Sequence, residues 1–303
     1  MSTTLPVFHK PTFGDVDCIP LMQVCPSRCC EYSFANMYMW RNLFNTEIAR
    51  VGDAVYIRFS GEDEPNYLAP AGGDFLENLH RLEAVAAAEG HPLRIFGYDE
   101  NGMDRLEAER TVLSREEFEE EFDYLYRVSD LATLAGKKYH GKRNHIAAFS
   151  REHEWVYEPL SAENVADIHS LADEWYTARV ALQGDGDGAL LEEKNAIHDL
   201  LDHRDEVGIV GGLIRVGEKA VAFTFGCRLC ADTFDTLVEK ALPDYAGAYT
   251  VINREFAKNA SSEYTYVNRE NDVGSEGLRR AKHSYHPVML VKKTLCTLGE
   301  ETL

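Results

Sequence analysis

DTFDTLVEKALPDYAGAYTVINREFAKNA, residues 232–260, is the stretch whose order decides the fold. Its first ten residues, rich in threonine and apolar side chains, read as a strand. Pro243 follows, and then the loop DYAGAY (residues 244–249) leads into a helix, TVINREFAKNA. A strand that runs through a glycine-bearing loop into a helix N-terminus presents unpaired backbone N–H groups and the positive end of the helix dipole, which together suit an anion. Gly247 lets the backbone approach a ligand closely. A plain turn with a glycine has the same spacing, so the loop alone leaves both readings open.

Outward from this core the pattern continues. Before it, VGIVGGLIRV (207–216) and KAVAFTFGCRL (219–229) are β-rich runs with turns at Gly217-Glu218 and at 230–232. After it come a strand, YTYVNRE (264–270), a helix, SEGLRRAKHSY (275–285), and a last strand, VMLVKKTL (288–295). Residues 130–149 and 160–181 read as helices, the second with Trp175 inward, and LLEEKNAIHDLLDHR (190–204) as an amphipathic helix. This is an α/β (α+β) domain beginning near Arg127. In the first half, Phe34, Met37, Tyr38 and Arg41 recur at helical spacing, and residues 48–60, 65–70 and 92–99 read as strands. FLENLHRLEAVAAAEG is a helix closed by Gly90. SREEFEEEFDY (114–124) reads as a solvated, acidic helix face. GDGDG (184–188) is a flexible loop without the further ligands of a calcium loop.

The 303 residues suffice for two domains, and 45% hydrophobic content supplies a sizeable core. A formal net charge of -20 excludes a general binder of nucleic acid or anionic membranes, though not a local basic site. No stretch is apolar for the ~18 residues that a span needs, and MSTTLPVFHKPTFGDVD has no signal core, so the expected location is cytoplasmic. Cys25, Cys29 and Cys30, with Cys227 and Cys230, match no standard zinc spacing and read as buried free thiols.

Charge is unevenly spread. The 51 acids, evenly mixed, would place about three or four in any window of 21 residues. Residues 131–151 hold none, and carry Lys137, Lys138, Lys142, Arg143 and Arg151. Residues 279–299 hold none either, and carry Arg279, Arg280, Lys282, Lys292 and Lys293. Two positive windows on so acidic a chain suit focused binding of phosphate or the end of an RNA; exposed helix faces balancing nearby acids are the plainer account. Asn268, Arg269, Glu270 and Asp272 follow a strand end, where ligands bind in open α/β sheets. A carboxylate there could take a proton from an attacking amine, and Arg269 could fix an anion. Structurally, Asp272 could cap the helix and Glu270 could pair with Arg269. Glu239-Lys240 is a similar candidate, with a salt bridge as its plain reading. His140 and His145, five apart, are off-register for one metal-binding helical face. No Ser-His-Asp, P-loop, GxGxxG or HExxH pattern is present.

KKYHGKRNHIAAF, VAFTFG, VEKA, GAYTVINREF and YVNRENDVGSEGLRRAKHSYHP, with FANMYMWR and DYLYRVSDLATLAGKKYH upstream, carry a resemblance over most of the chain. The sequence resembles the bacterial domain family of unknown function related to the C-terminal part of phosphatidylglycerol lysyltransferase. That resemblance implies a tandem of two GNAT-like domains, 1–126 and 127–303, similar to Fem-type transferases, which pass an aminoacyl group from an aminoacyl-tRNA to an amine or lipid hydroxyl. It implies that Lys137, Lys138, Lys142, Arg143 and Asn144, with Gly247 and Tyr249 of the loop, hold the anionic donor or acceptor. Asn268, Arg269, Glu270, Asp272, Arg279 and Lys282 would line the transfer site, with Glu270, Asp272, Asn268 and Glu239 as the catalytic set and no metal. The expected activity is acyl or aminoacyl transfer to a small-molecule or peptide acceptor, with tRNA as partner. Acyl-CoA is the alternative donor, although the AGAY loop is a poor copy of the longer glycine-rich acyl-CoA loop. A non-catalytic module sensing a phosphorylated metabolite or RNA is the alternative of a different class. The chain lacks the membrane-spanning half of full-length lipid lysyltransferases, which sets it apart from a phospholipid acceptor.

Overall fold

A computed structural model describes residues 4–301 apart from 26, 61–63, 98–99, 185 and 187. The expected loop at 184–188 therefore falls partly outside the described residues, at Asp185 and Asp187. In chain order the elements begin with α1 (Ile19–Gln23), α2 (Phe34–Trp40), β1 (Glu47–Val51), β2 (Ala54–Phe59) and β3 (Asn66–Leu68). There follow α3 (Phe75–Glu89), β4 (Arg94–Phe96), α4 (Glu100–Glu109), β5 (Arg110–Glu117), β6 (Asp123–Arg127), α5 (Val128–Thr133) and α6 (His140–Glu152). The chain continues with β7 (Trp155–Pro159), α7 (Val165–Gln183), α8 (Ala189–Asp202), α9 (Arg204–Val207), β8 (Val210–Val216) and β9 (Lys219–Arg228). It ends with β10 (Thr233–Ala241), α10 (Ala248–Asn259), β11 (Tyr266–Asn268), α11 (Glu276–His283), β12 (Met289–Val291) and β13 (Thr294–Glu301).

Two mixed sheets result. The six-stranded sheet has the order β1-β2-β3-β4-β13-β5, and the seven-stranded sheet the order β12-β6-β11-β10-β9-β8-β7. Each contains one parallel pair, β3 with β4 and β10 with β11. One core lies between the sheets, joining Ile57 and Leu68 of the first to Phe223, Phe225 and Val238 of the second beneath α2, α7 and α8. A second core fills the outer face of the seven-stranded sheet under α5, α6 and α10, and a third the outer face of the six-stranded sheet under α3. Local signals place the helices: Ser33, Asp74 and Ser275 cap α2, α3 and α11, and Gly90 closes α3 in the left-handed region.

Three expectations need correction. The acidic run 114–124 is not a helix face. It is the end of β5, a 3-10 turn and the start of β6. β5 is an edge strand, and its charges blunt that edge. Residues 130–149 are not one helix, because Leu134 and Gly136 adopt positive φ between α5 and α6. VMLVKKTL is two strands in different sheets, β12 in the second and β13 in the first. β6 spans the expected 126/127 boundary and lies in the second sheet, so each sheet takes a strand from across that point. The cysteines are all free, and all but Cys25 are buried.

Candidate functional site

β10 and β11 run parallel only over Thr233–Asp235 and Tyr266–Asn268. Beyond that β10 continues with β9 alone, and the carboxyl ends of the two strands part. A bulge in β10 between Asp235 and Val238 shifts the register by one residue. Leu237 and Val238 consequently both face the core between the sheets, and Glu239 turns to the outer face, toward α10. Without the extra residue, period two would put Glu239 on the same side as Asp235.

Across the gap Arg269 Nη2 donates to Glu239 Oε1 at 2.9 Å, and Asn253 Nδ2 of α10 donates to Glu239 Oε2 at 2.9 Å. The guanidinium lies over the rings of Tyr285 (4.8 Å to the centroid) and Tyr126 (5.6 Å). Lys142 of α6 reaches the same Tyr285 ring, its Nζ 3.7 Å from the centroid. Burial, with the nearby Arg269 charge, pulls Lys142 down to about 8. Two polar atoms in this buried group have no partner: Arg269 Nη1 and Asn253 Oδ1. A buried donor and a buried acceptor without partners are costly unless something completes them.

The turn after β11 is wound around one lysine. Lys282 Nζ donates to the carbonyls of Arg269, Glu270 (3.0 Å) and Asn271 (2.5 Å). Burial beside Arg269 pulls it down to about 8, while three carbonyl acceptors take all three protons of an ammonium. Glu270 and Val273 both stand at positive φ, 57° and 46°, a strain that this many contacts can hold. Asp272 accepts from Tyr124 Oη (2.7 Å), Arg279 Nε (2.8 Å) and the Gly274 N–H (2.9 Å). Burial acts to raise its carboxyl; the bonds from Arg279 and Tyr124 outweigh that and hold it below the usual range.

Strand alternation sends Asn268 and Glu270 the other way, into the seam between the sheets. Asn268 Nδ2 donates to Arg28 O and Asp123 Oδ2, and its Oδ1 accepts from the Glu270 N–H. Glu270 accepts from Asn36 of α2 at 2.8 Å, and burial pushes its carboxyl up to about 8. In the same seam Lys293 Nζ pairs with Glu31 (2.5 Å) and Asp123 (2.8 Å). Burial works against that charge, and Asp123 with its neighbours holds the lysine well above its ordinary value. Cys29, Glu31 and Asp123 are, among the described residues, a trio with metal-ligand spacing, but the ammonium of Lys293 already pairs with both carboxylates.

A family model described as the C-terminal part of phosphatidylglycerol lysyltransferase matches residues 23–297. The chain belongs to that family. A conserved protein of unknown function from Bacteroides thetaiotaomicron is similar in structure, with 36% identity and a TM-score of 0.87 over 97% of this chain and 100% of that one. The structure of L-PGS from Bacillus licheniformis matches with a TM-score of 0.61 at 15% identity, over 97% and 94% of the two chains. FemX matches with a TM-score of 0.50 at 11% identity, over 95% and 96%. The fold is thus the tandem GNAT-like arrangement of mixed sheets flanked by helices, shared with Fem-type proteins. No curated protein matches the sequence. Among the described residues no helix is long and apolar enough to cross a membrane.

Within this family member the two acid-free windows do meet. Tyr139 Oη donates to Tyr285 O at 3.0 Å, and His286 lies 3.3 Å from Lys138 O. They do not form one free patch, however. Lys293 is buried in the seam, Arg143 donates to the carbonyls of Leu134 and Gly136, and Arg279 is paired with Asp272. Lys137, Lys138 and Asn144 remain exposed at the rim, Lys138 3.5 Å from Asp130 and Asn144 bonded to His140. Gly247 is required by its φ of 95° and by α6: an added Cβ would meet His145 O at 3.0 Å. Tyr249 is exposed and accepts a bond from Trp175 Nε1 at 3.3 Å, so Trp175 is half-buried rather than inward. Lys240 forms its salt bridge with Glu193, not Glu239, and Arg269 pairs with Glu239, not Glu270. Sequence reasoning missed Asn253, Tyr126, Tyr285 and Asn36. The readable sign for Asn253 is an amide among Val251, Ile252 and Phe256, all buried on α10.

Proposed function

We infer that this chain is an aminoacyl transferase of the cytoplasm, moving an aminoacyl group from an aminoacyl-tRNA to an amine or hydroxyl of a small molecule or peptide. The observation that carries this reading is the incomplete polar group at the parting of β10 and β11: Arg269 Nη1 and Asn253 Oδ1 unpartnered, beside Lys142. An aminoacyl ester asks for three things: an acceptor for its α-ammonium, a donor for the carbonyl oxygen as it becomes an oxyanion, and an acid–base group near neutrality. Asn253 Oδ1 with the Glu239 carboxylate answers the first, Arg269 Nη1 the second and Lys142 the third. Lys142 as a free amine takes the proton of the attacking group, and as an ammonium returns it to the departing ribose oxygen. The ester C–O bond breaks as the new C–N or C–O bond forms. Both unpartnered atoms are shut off from solvent, so the ester reaches them only once the side chains around them rearrange.

In this reading the division into 1–126 and 127–303 leaves the chemistry to the second half. Lys137, Lys138 and Asn144 guide the tRNA end, with Gly247 and Tyr249 at the start of α10. Asn268, Glu270, Asp272, Arg279 and Lys282 shape the turn that presents Arg269. The test is binding of a charged tRNA across a salt series. Binding should weaken steeply with salt, and Lys142→Glu should cut it by about tenfold or more. Absence of tRNA binding at low salt, with coenzyme A raising the melting temperature, would transfer the reading to an acyl-CoA donor.

A further inference from the structure

α7 and α8 form a helical hairpin on the inner face of the seven-stranded sheet, and a histidine from each meets the other where they pack. His169 Nδ1 lies 2.5 Å from His198 Nδ1. The ring planes are within 6° of each other, with centroids 4.7 Å apart. That separation exceeds the nitrogen distance by about two ring radii. The nitrogens therefore lie on the line between the rings, and the rings meet head-on rather than face to face.

The outer nitrogens decide which atoms carry protons. His169 Nε2 is 3.2 Å from Asp202 Oδ1, and His198 Nε2 is 3.1 Å from Asp173 Oδ1. A carboxylate only accepts, so each Nε2 bears the hydrogen and each Nδ1 keeps a bare lone pair. Two lone pairs aimed at each other across 2.5 Å repel, and a cation between them reverses the sign. A carboxylate behind each imidazole, fixing its tautomer and sharpening its basicity, is the outer shell that metal-ligating histidines have.

We propose that His169 and His198 ligate, through their Nδ1 atoms, a divalent ion of the imidazole-preferring class, zinc foremost. Nitrogen ligands exclude calcium and magnesium as the preferred ions. With metal–nitrogen bonds of about 2.0–2.1 Å, tetrahedral ligands sit roughly 3.3 Å apart, so the rings need to part by under about 1 Å. The side chains are 22% and 26% exposed, which leaves an open side for water to complete the shell. Lys194 holds Asp173 at 3.3 Å and keeps that carboxylate in its outer place. The ion would fasten α7 to α8 within two turns of Trp175 and Glu193, the side chains that hold Tyr249 and Lys240.

The experiment is a zinc titration of the metal-free full chain against a chelating indicator, for the native protein and for His169→Asn and His198→Gln. The native protein should bind one equivalent more than either variant, and zinc should raise its melting temperature alone. Uptake by the seven cysteines is common to all three and cancels. Equal uptake by the three proteins overturns the proposal. Should a variant fail to fold, cobalt added to the native chain gives the answer. Paramagnetically shifted imidazole N–H resonances in its NMR spectrum support the site; their absence overturns it.

Discussion

Asp123 with Lys293 and Glu239 with Arg269 are both ion pairs withdrawn from water, one in the seam between the sheets and one on the outer face of the second sheet. In the seam every polar atom of the pair is used. Asp123 Oδ1 faces Lys293 and Cys30 Sγ, while Oδ2 accepts from the Cys30 N–H and Asn268 Nδ2. On the outer face the pair is built to the same length, yet Arg269 Nη1 and the neighbouring Asn253 Oδ1 are left over. Buried charge alone thus does not mark a site. Of these two pairs, the one with a completed set of bonds is a strut, and the incomplete one is the proposed receptor.

The largest effect should come from breaking the strut. Lys293→Met leaves the buried Asp123 and the half-buried Glu31 without a counter-charge, and should cost about 3–5 kcal/mol in urea denaturation. Adding Asp123→Leu should restore most of it, and a loss under about 1 kcal/mol would break the contrast drawn here. The receptor should behave in reverse. Arg269→Lys keeps the charge but loses the fork, so the proposed aminoacyl transfer should drop on the order of 10–100-fold while the denaturation midpoint moves little. A variant that unfolds with activity per folded molecule unchanged would make Arg269 a second strut.

Gly247→Ala probes the scaffold beneath the receptor. A positive φ and the approach of His145 O should together cost about 1–3 kcal/mol, read as a lower melting temperature. A further expected effect is a pH slope in the seam. Glu270 titrates at about 8 in the fold, above its ordinary range, so the fold favours its protonated form. Its stabilising contribution is whole below the ordinary carboxylate range and is lost as pH rises toward that value. Glu270→Gln lacks this slope. The stability of the native protein relative to the variant should therefore fall progressively between about pH 5 and 8, read as a divergence of their denaturation midpoints. A flat difference would mean that Glu270 is already ionised beside Asn36.

Much of the fold was legible because its signals are local. The alternation along DYLYR was masked by the acidic run before it, whereas the helix that Gly90 closes is written in adjacent residues. A strand, a proline, a glycine loop and a helix over residues 232–260 are likewise written in neighbouring residues. So was the concentration of positive charge in two windows. What those charges do was not legible. That Lys293 turns inward, that Lys282 gathers three carbonyls and that Lys142 meets Arg269 over one tyrosine ring all depend on chain segments more than a hundred residues apart or on a turn's carbonyls converging. The bulge that turns Glu239 outward exists only in its register with β9, and the meeting of His169 with His198 only in the packing of α7 on α8. Local geometry follows from each residue and its near neighbours; which buried polar atoms find partners is settled only when distant segments pack, and that left Arg269 and Asn253 incomplete.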